Sequence, residues 1–354
     1  MSRFLSKRYE KIEPYTPGEQ PKVLDLIKLN TNESPFPPSP KVIDALNNAQ
    51  VSKLNLYSDP ETKEVIDAIS SVLGVSADHI LMGNGSDEIL AFAFQAFCDS
   101  DNQPCFADIT YGFYPVFCEL YNLTPEIIPL KDDLSIDPSD YYNKNRPIFI
   151  ANPNAPSGLA LSITEIEEIL RTNPDNIVLI DEAYVDFGAE SAISLVDKYD
   201  NLIVSRTFSK SRNLAGARIG FAVANPELIT DMCKMKFSFN PYNINRLSII
   251  AGKEAMLDTE YFDKCISEII KNREYTVSEL AKRGFTAPDS KANFIFAKHH
   301  TLSGADYYTK LREKNILVRH FSKDRIKDYV RITIGSKEQM TALIKATDEI
   351  LKGN

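Results

Sequence analysis

The sequence is poor in histidine and cysteine and has no long apolar run. Its four histidines stand at 79, 299, 300 and 320. None is spaced with another His, a Cys or a carboxylate cluster as metal ligands are, so no catalytic metal is expected. The five cysteines (98, 105, 118, 233 and 265) include no CxxC pair, and an odd number argues against a disulfide framework. Most lie in apolar stretches such as 94–98, which reads as buried free thiols in a reducing compartment. No run of eighteen apolar residues occurs, so no membrane-spanning helix is expected. The opening MSRFLSKRYEKIEPY lacks the apolar stretch of a signal peptide, and a cytoplasmic location is the expectation. Basic residues form no cluster and the net charge is −9, which argues against a nucleic-acid footprint. There is no internal repeat and no low-complexity tract.

What is present is enough chain, 354 residues, for two domains. Residues 1–40 hold prolines at 14, 17, 21, 35, 37, 38 and 40. Each removes a backbone donor and biases its predecessor away from α, so this stretch reads as an extended arm lying on the smaller domain or on a partner subunit. From 41 onward, helical spacing (41–48, 62–73, 88–97, 164–170) alternates with short apolar runs bounded by turns. Those runs are 80–82, 104–107, 127–130, 147–151, 177–180, 202–205 and 219–224. Continuous apolar strands between helices predict an α/β domain over 41–250 whose central sheet is mostly parallel and covered on both faces. The segment 251–354 reads as a smaller α+β domain: helix 258–282, strands 293–297, 316–318 and 329–334, and helices 305–314 and 337–351.

Several short segments carry chemistry. Lys210 follows an apolar strand within Arg206-Thr-Phe-Ser-Lys and precedes Leu214-Ala-Gly-Ala-Arg218-Ile-Gly220. A lysine that forms a Schiff base needs a partly desolvated or cationic setting to lose its proton. Arg218, with Ser209 or Arg206, offers donors for a phosphate beside it; the plain alternative is a solvated loop end. Asp181 ends the strand 177–180, where ligands bind in α/β sheets, and an acid there can pair with a protonated pyridine nitrogen. It can equally be a helix N-cap. Tyr184 is three residues on, within reach of a ring oxygen. Ser86, Asp87 and Glu88 open the helix after Gly83-Asn-Gly85, a setting for phosphate on helix amides or simply a capped turn. A dinucleotide site is poorly matched there, because the third glycine is missing. Tyr111 and Tyr114 stand after strand 104–107, where an aromatic can stack on a flat ring. Asn154 lies in the turn-rich Asn152-Pro-Asn-Ala-Pro156-Ser-Gly158.

The order and spacing of these segments resemble the fold type I, pyridoxal-phosphate-dependent aminotransferases, and within them the histidinol-phosphate aminotransferase family. The likeness extends to Leu29-Asn-Thr-Asn-Glu33-Ser-Pro, Leu56-Tyr57-Ser-Asp-Pro60, Pro241-Tyr-Asn243, Ala292-Asn293-Phe, Ile316-Leu-Val-Arg319 and Val330-Arg331-Ile-Thr-Ile-Gly335, and so covers nearly the whole chain. It implies a homodimer with a shared active site and transfer of the amino group of histidinol phosphate to 2-oxoglutarate, giving imidazole acetol phosphate and glutamate, a step of histidine biosynthesis. It implies pyridoxal 5′-phosphate on Lys210 as a Schiff base, Asp181 on the pyridine nitrogen and Tyr184 on the phenolic oxygen. Ser86, Asp87, Glu88, Ser209 and Arg218 would surround the cofactor phosphate, with Tyr111 on the ring and Asn154 nearby. Arg331 would take the substrate carboxylate, and Arg319, Tyr15 and Tyr57 the substrate phosphate, with Tyr57 coming from the second subunit.

The chain departs from the family pattern in three places. Ala155 stands where an Asn usually precedes Pro-Ser-Gly, Ser211-Arg212-Asn213 replaces the usual Ala-aromatic-Gly, and Ile109 replaces a proline. The first two are candidates for altered substrate preference. On the same scaffold, an aromatic amino-acid aminotransferase and a phosphothreonine decarboxylase-like enzyme are the alternative readings.

Overall fold

The computed structural model describes residues 5–9, 12–20, 26–49 and 51–353. Along the chain these form β1 (Ile27–Lys28), α1 (Pro40–Asn47), α2 (Lys63–Leu73), β2 (Ile80–Gly83), α3 (Ser86–Phe97), β3 (Cys105–Ala107), α4 (Phe113–Tyr121) and β4 (Glu126–Ile128). They continue as β5 (Ile148–Ala151), α5 (Ile163–Thr172), β6 (Val178–Asp181), β7 (Leu202–Thr207), β8 (Gly220–Ala224), α6 (Pro226–Phe239), α7 (Arg246–Leu257) and α8 (Thr259–Ala281). The remainder are β9 (Phe285–Thr286), β10 (Phe294–His299), α9 (Gly304–Glu313), β11 (Ile316–Leu317), β12 (Arg319–His320), β13 (Tyr329–Thr333) and α10 (Lys337–Lys352).

Seven strands make a central sheet in the order β2–β8–β7–β6–β5–β3–β4. From β7 to β4 all neighbours are parallel, while β8 runs antiparallel to both β7 and β2. Strands β5 to β8 are buried at every residue, which is why they read as unbroken apolar runs. Alternate residues serve opposite faces. Ile148, Ile150, Val178, Ile180, Leu202 and Val204 join a core with residues of α2, α5 and α7. Their neighbours Phe149, Leu179 and Ile203 join a separate core with α3, α4 and α6. The expected sheet covered on both faces is therefore present.

A second, antiparallel sheet has the order β12–β13–β10–β9, and α8, α9 and α10 share its core. Leu29 belongs to that core, and β1 pairs parallel with β11, so the end of the arm is stitched to the C-terminal part of the chain. Residues 12–20 are neither helix nor strand, as their prolines predict; residues 1–4, 10–11 and 21–25 of the arm lie outside the described residues.

Some elements differ from the sequence reading. Helices α4, α6 and α7 have no counterpart there. Helix α4 reads FYPVFCELY, apolar and aromatic nearly throughout, and burial of Tyr114, Phe117 and Cys118 is what holds it. The strand expected at 316–318 is two short ones, β11 on β1 and β12 on β13, with buried Val318 between them. The boundary expected at 250 falls inside α7, whose Ala251, Ala255 and Met256 belong to the core of the central sheet.

Gly220 fixes how β8 meets the start of α3. A Cβ there would stand 2.4 Å from the Ser86 nitrogen and 2.5 Å from the Gly85 carbonyl carbon, and both are backbone atoms that cannot swing aside. Gly220→Ala is expected to destabilise the protein by about 1–3 kcal/mol, read as a lower urea midpoint. An unchanged midpoint would contradict this packing.

Candidate active site

A cavity of about 750 Å³ opens at the C-terminal ends of β5, β6 and β7, with Ala151, Asp181 and Thr207 in its floor. The first turn of α3 forms one wall, β12 and β13 another, and arm residues 13–18 and 20 cross its mouth.

Asp181 is fixed by its strand. It pairs in register with Ala151 and Ser205, and its carbonyl accepts from the Asn152 amide at 2.9 Å. No helix is capped by it, which sets aside the N-cap alternative. The side chain is buried: Oδ2 accepts from the Tyr114 hydroxyl at 3.3 Å and Oδ1 has no partner. Burial, reinforced by the charge of Asp87, pushes its pKa up to about 7, against the opposing Tyr114 bond.

Lys210 sits in a loop closed by backbone bonds from Phe208 to Ile219 and from Leu214 to Phe208, each 3.0 Å. Its Nζ donates to the Thr31 carbonyl at 3.2 Å and lies 5.8 Å from the centre of the Tyr184 ring. Burial first, then the positive charge of Arg331, lowers its pKa to about 8, while Glu33 and Asp87 oppose the shift. Tyr184 accepts from Asn32 Nδ2 at 3.0 Å, which leaves its own proton free to donate. Burial raises its pKa.

At the start of α3, Asp87 is a hub. It accepts from the Tyr111 hydroxyl at 2.6 Å through one oxygen and from Arg218 at 3.2 Å through the other. Arg218 crosses so close to Gly85 that a Cβ there would stand 2.6 Å from Nη2, and Gly85 also has a φ of 85° that favours glycine. Ser86, Ser209 and the open amides of the helix start line the same end of the cavity. Arg206 does not join them: it is buried in ion pairs with Glu182 and Asp186.

At the other end, Arg319 and Arg331 are directly opposite each other on β12 and β13. Arg331 Nη2 donates to the Asn30 carbonyl at 2.9 Å, and its buried Nε has no partner. Among the described residues neither arginine has a carboxylate partner. Like charges facing across a strand pair repel, so an anion between them is what the arrangement favours. Tyr15, on the arm, lines the cavity and packs against Phe113, with ring centroids 4.9 Å apart.

Three expected site residues lie outside the cavity wall. Asn154 is buried with its amide bonded to the Ile109 carbonyl at 2.9 Å and to the Thr110 hydroxyl at 2.8 Å, so it supports the loop before α4 and does not contact the cavity. Glu88 turns back to accept from the Asn84 amide at 2.6 Å and from Asn243. Tyr57 is 78 % exposed and stacked on Tyr242, away from this chain's own cavity. The segment 211–213 also turns away, Arg212 stacking on Phe262 at 3.7 Å and Ser211 donating to Asp186. Conversely, Asn32 and Thr31 touch the central groups although the sequence assigns them no role, and Tyr114, a candidate for ring stacking, instead donates to Asp181. Asn32 and Thr31 stand in the quoted motif at 29–35, so a signal existed for them but no role followed from it.

The family model of class I and II aminotransferases matches residues 24–346. The chain is 51 % identical over 353 residues to the histidinol-phosphate aminotransferase of Brachyspira hyodysenteriae, covering 99 % of this chain and 100 % of that one. It is 47 % identical over 351 residues to that of Clostridium botulinum (strain Kyoto / Type A2), covering 99 % of each. In fold it matches the crystal structure of histidinol-phosphate aminotransferase from Sinorhizobium meliloti in complex with pyridoxal-5′-phosphate, with a TM-score of 0.83 at 23 % identity, over 92 % of this chain and 91 % of that one. A family match over most of the length, and relatives near half identity from end to end, make this chain a member of the class I and II aminotransferases.

Proposed function

We propose that the chain is a pyridoxal-phosphate-dependent transaminase that takes the amino group of histidinol phosphate and passes it to 2-oxoglutarate. The observation that carries the substrate half of this reading is the facing pair Arg319 and Arg331, two guanidinium groups without a carboxylate, suited to an anion of charge −2. A phosphate ester supplies that charge, as does the dicarboxylate 2-oxoglutarate, whereas phenylalanine does not.

The residues fit the cofactor. The unpartnered Oδ1 of Asp181 can accept from a protonated pyridine nitrogen, and that positive charge would relieve the penalty on the buried carboxylate. Tyr184 can donate to a phenolic oxygen, and Tyr111 is placed beside the ring. Ser86, Asp87, Ser209, Arg218 and the amides at the start of α3 can hold the phosphate. Bound there, pyridoxal phosphate supplies a carbonyl for the amino group and an electron sink for charge at the substrate's Cα.

The chain's own groups do the rest. Lys210, with a pKa near 8, keeps a usable fraction of free amine near neutrality and would hold the cofactor through its carbonyl group. The same amine would serve as the general base for the proton on the substrate's Cα. Asp181 would fix the ring's orientation through its nitrogen. Arg331 binds the carboxylate of glutamate, and Arg319 with Tyr15 binds the phosphate of histidinol phosphate.

The arrangement into arm (1–40), large domain and smaller C-terminal domain belongs to the same reading, with the division placed after α7 at 257. So does a homodimer. Tyr57 and Tyr242 stack at the surface, and Val51, Leu54, Leu56, Phe237 and Phe239 are exposed on the same two segments. Arg246 bonds the Tyr57 carbonyl at 2.8 Å and Lys236 the Pro60 carbonyl at 2.8 Å, fixing the loop outward. Such a patch supports burial against a second copy, with Tyr57 reaching that copy's cavity. No helix among the described residues is long and apolar enough to cross a membrane; the cytoplasm is our proposed location.

With 2-oxoglutarate as acceptor, kcat/KM for histidinol phosphate should exceed that for phenylalanine by on the order of a hundredfold. Faster turnover of phenylalanine, or release of carbon dioxide without consumption of the keto acid, would contradict the assignment. If Tyr57 acts across subunits, mixing Lys210→Ala and Tyr57→Ala proteins under subunit exchange should give more activity than the two contribute separately. No gain would remove the trans role.

Asp181 also makes a pH prediction for the cofactor-free protein. Its folded pKa of about 7 lies above the ordinary 3.8, so the folded state favours the neutral acid. Stability from this group is complete below the unfolded pKa and declines as pH rises, until it is lost above the folded value. Asp181→Asn removes that decline. Without cofactor, its urea midpoint should gain on the wild type between pH 5 and pH 8. A constant difference across that range would show that the buried carboxylate carries no such penalty.

A further inference from the structure

The cavity holds a cation that the arrangement above does not use. Lys323 lies in the turn between β12 and β13, the two strands that carry Arg319 and Arg331, and it lines the cavity with them. That turn is pinned to the central sheet. Arg325 pairs with Asp108 at 2.7 Å and donates to the Leu130 and Lys131 carbonyls at 2.8 and 2.9 Å. Asp108 is fixed in turn, accepting from the Leu130 amide at 2.9 Å. Ile326 is buried in a small apolar cluster with Ala107, Ile109, Leu130, Leu134 and Phe296.

Lys323 itself is held only loosely. Among the described residues its Nζ makes one bond, to the Asp108 carbonyl at 3.3 Å, beyond the usual range for an N–H donor. Among the described residues it has no carboxylate partner. Among the carboxylates in the lining, Glu33 is engaged with Lys28, Asp87 with Arg218 and Tyr111, and Glu119 with the Glu13 amide. A flexible ammonium on a fixed turn, with one weak bond to give up, can swing to an incoming anion at small cost.

We propose that Lys323 is a further specificity-determining residue, which supplies an added cation for the substrate's phosphate from a turn that the Arg325–Asp108 clasp holds in place. The inference deepens the proposed use of a phosphorylated amine. A singly charged carboxylate is served by Arg331 alone, whereas a phosphate dianion gains from each added cation, so Lys323 should favour the phosphorylated donor over its phosphate-free counterpart.

The test compares Lys323→Met and Lys323→Arg with the wild-type holoenzyme in two measurements. One is the ratio of kcat/KM for histidinol phosphate to that for histidinol; the other is the inhibition constant of inorganic phosphate against glutamate. In Lys323→Met the ratio should fall about fivefold, carried by KM, and the inhibition constant should rise by a similar factor, the scale of one ion contact at a solvent edge. Lys323→Arg should restore both. An unchanged ratio and inhibition constant, or an equal loss for both donors, would overturn the role. If the wild type does not turn over histidinol phosphate, the proposed substrate fails separately, and the phosphate inhibition still decides for or against Lys323.

Discussion

A carboxylate enclosed by protein with one oxygen left unpaired is the constraint on which this site depends. An unsatisfied buried polar group costs about 1–3 kcal/mol, more if charged. The fold accepts that cost at Asp181 by placing it at the end of a strand locked on both sides by parallel neighbours. The same burial that raises the pKa of Asp181 lowers that of Lys210. An acid and an amine are therefore both moved toward neutrality, where a cationic ring nitrogen and an aldehyde carbon can be met. Such displacements are probabilistic markers of function in general; here they coincide with a cavity, a helix start and an arginine pair.

The two halves of the site come from different cores. The central sheet supplies Asp181, Lys210, Arg218 and the start of α3, while the C-terminal sheet supplies Arg319 and Arg331. The arm joins them. Thr31 accepts from Lys210, Asn32 donates to Tyr184, and Asn30 accepts from Arg331, while Leu29 is buried in the C-terminal core. Four consecutive residues thus tie the Lys210–Tyr184 end and the Arg331 end of the cavity to one backbone. The motif at 29–35 serves the distance between the halves as much as the chemistry in either.

Much of this was legible in the sequence because strand ends are informative. The apolar runs located β5, β6 and β7, and the C-terminal residues of those strands, Ala151, Asp181 and Thr207, lie in the floor of the cavity. Asp181, Lys210, Arg218, Ser86 and Tyr111 all line the cavity. What was not legible depends on tertiary packing. Tyr114 reads like any loop tyrosine until α4 forms, and α4 forms only because its apolar residues are buried. Asn154 and Glu88 are polar residues in the right segments whose side chains are used up locally, by Ile109 and Thr110 in one case and by Asn84 and Asn243 in the other. Spacing places a residue near a site, and its hydrogen-bond partners decide whether it faces in.

The central claim is that a single amine, that of Lys210, carries the cofactor. The most direct measurement is borohydride reduction of the purified holoenzyme followed by peptide mass mapping. The account predicts the added pyridoxyl phosphate mass on the peptide containing Lys210 and on no other lysine. Label on a different lysine, or none after incubation with the aldehyde, would contradict it.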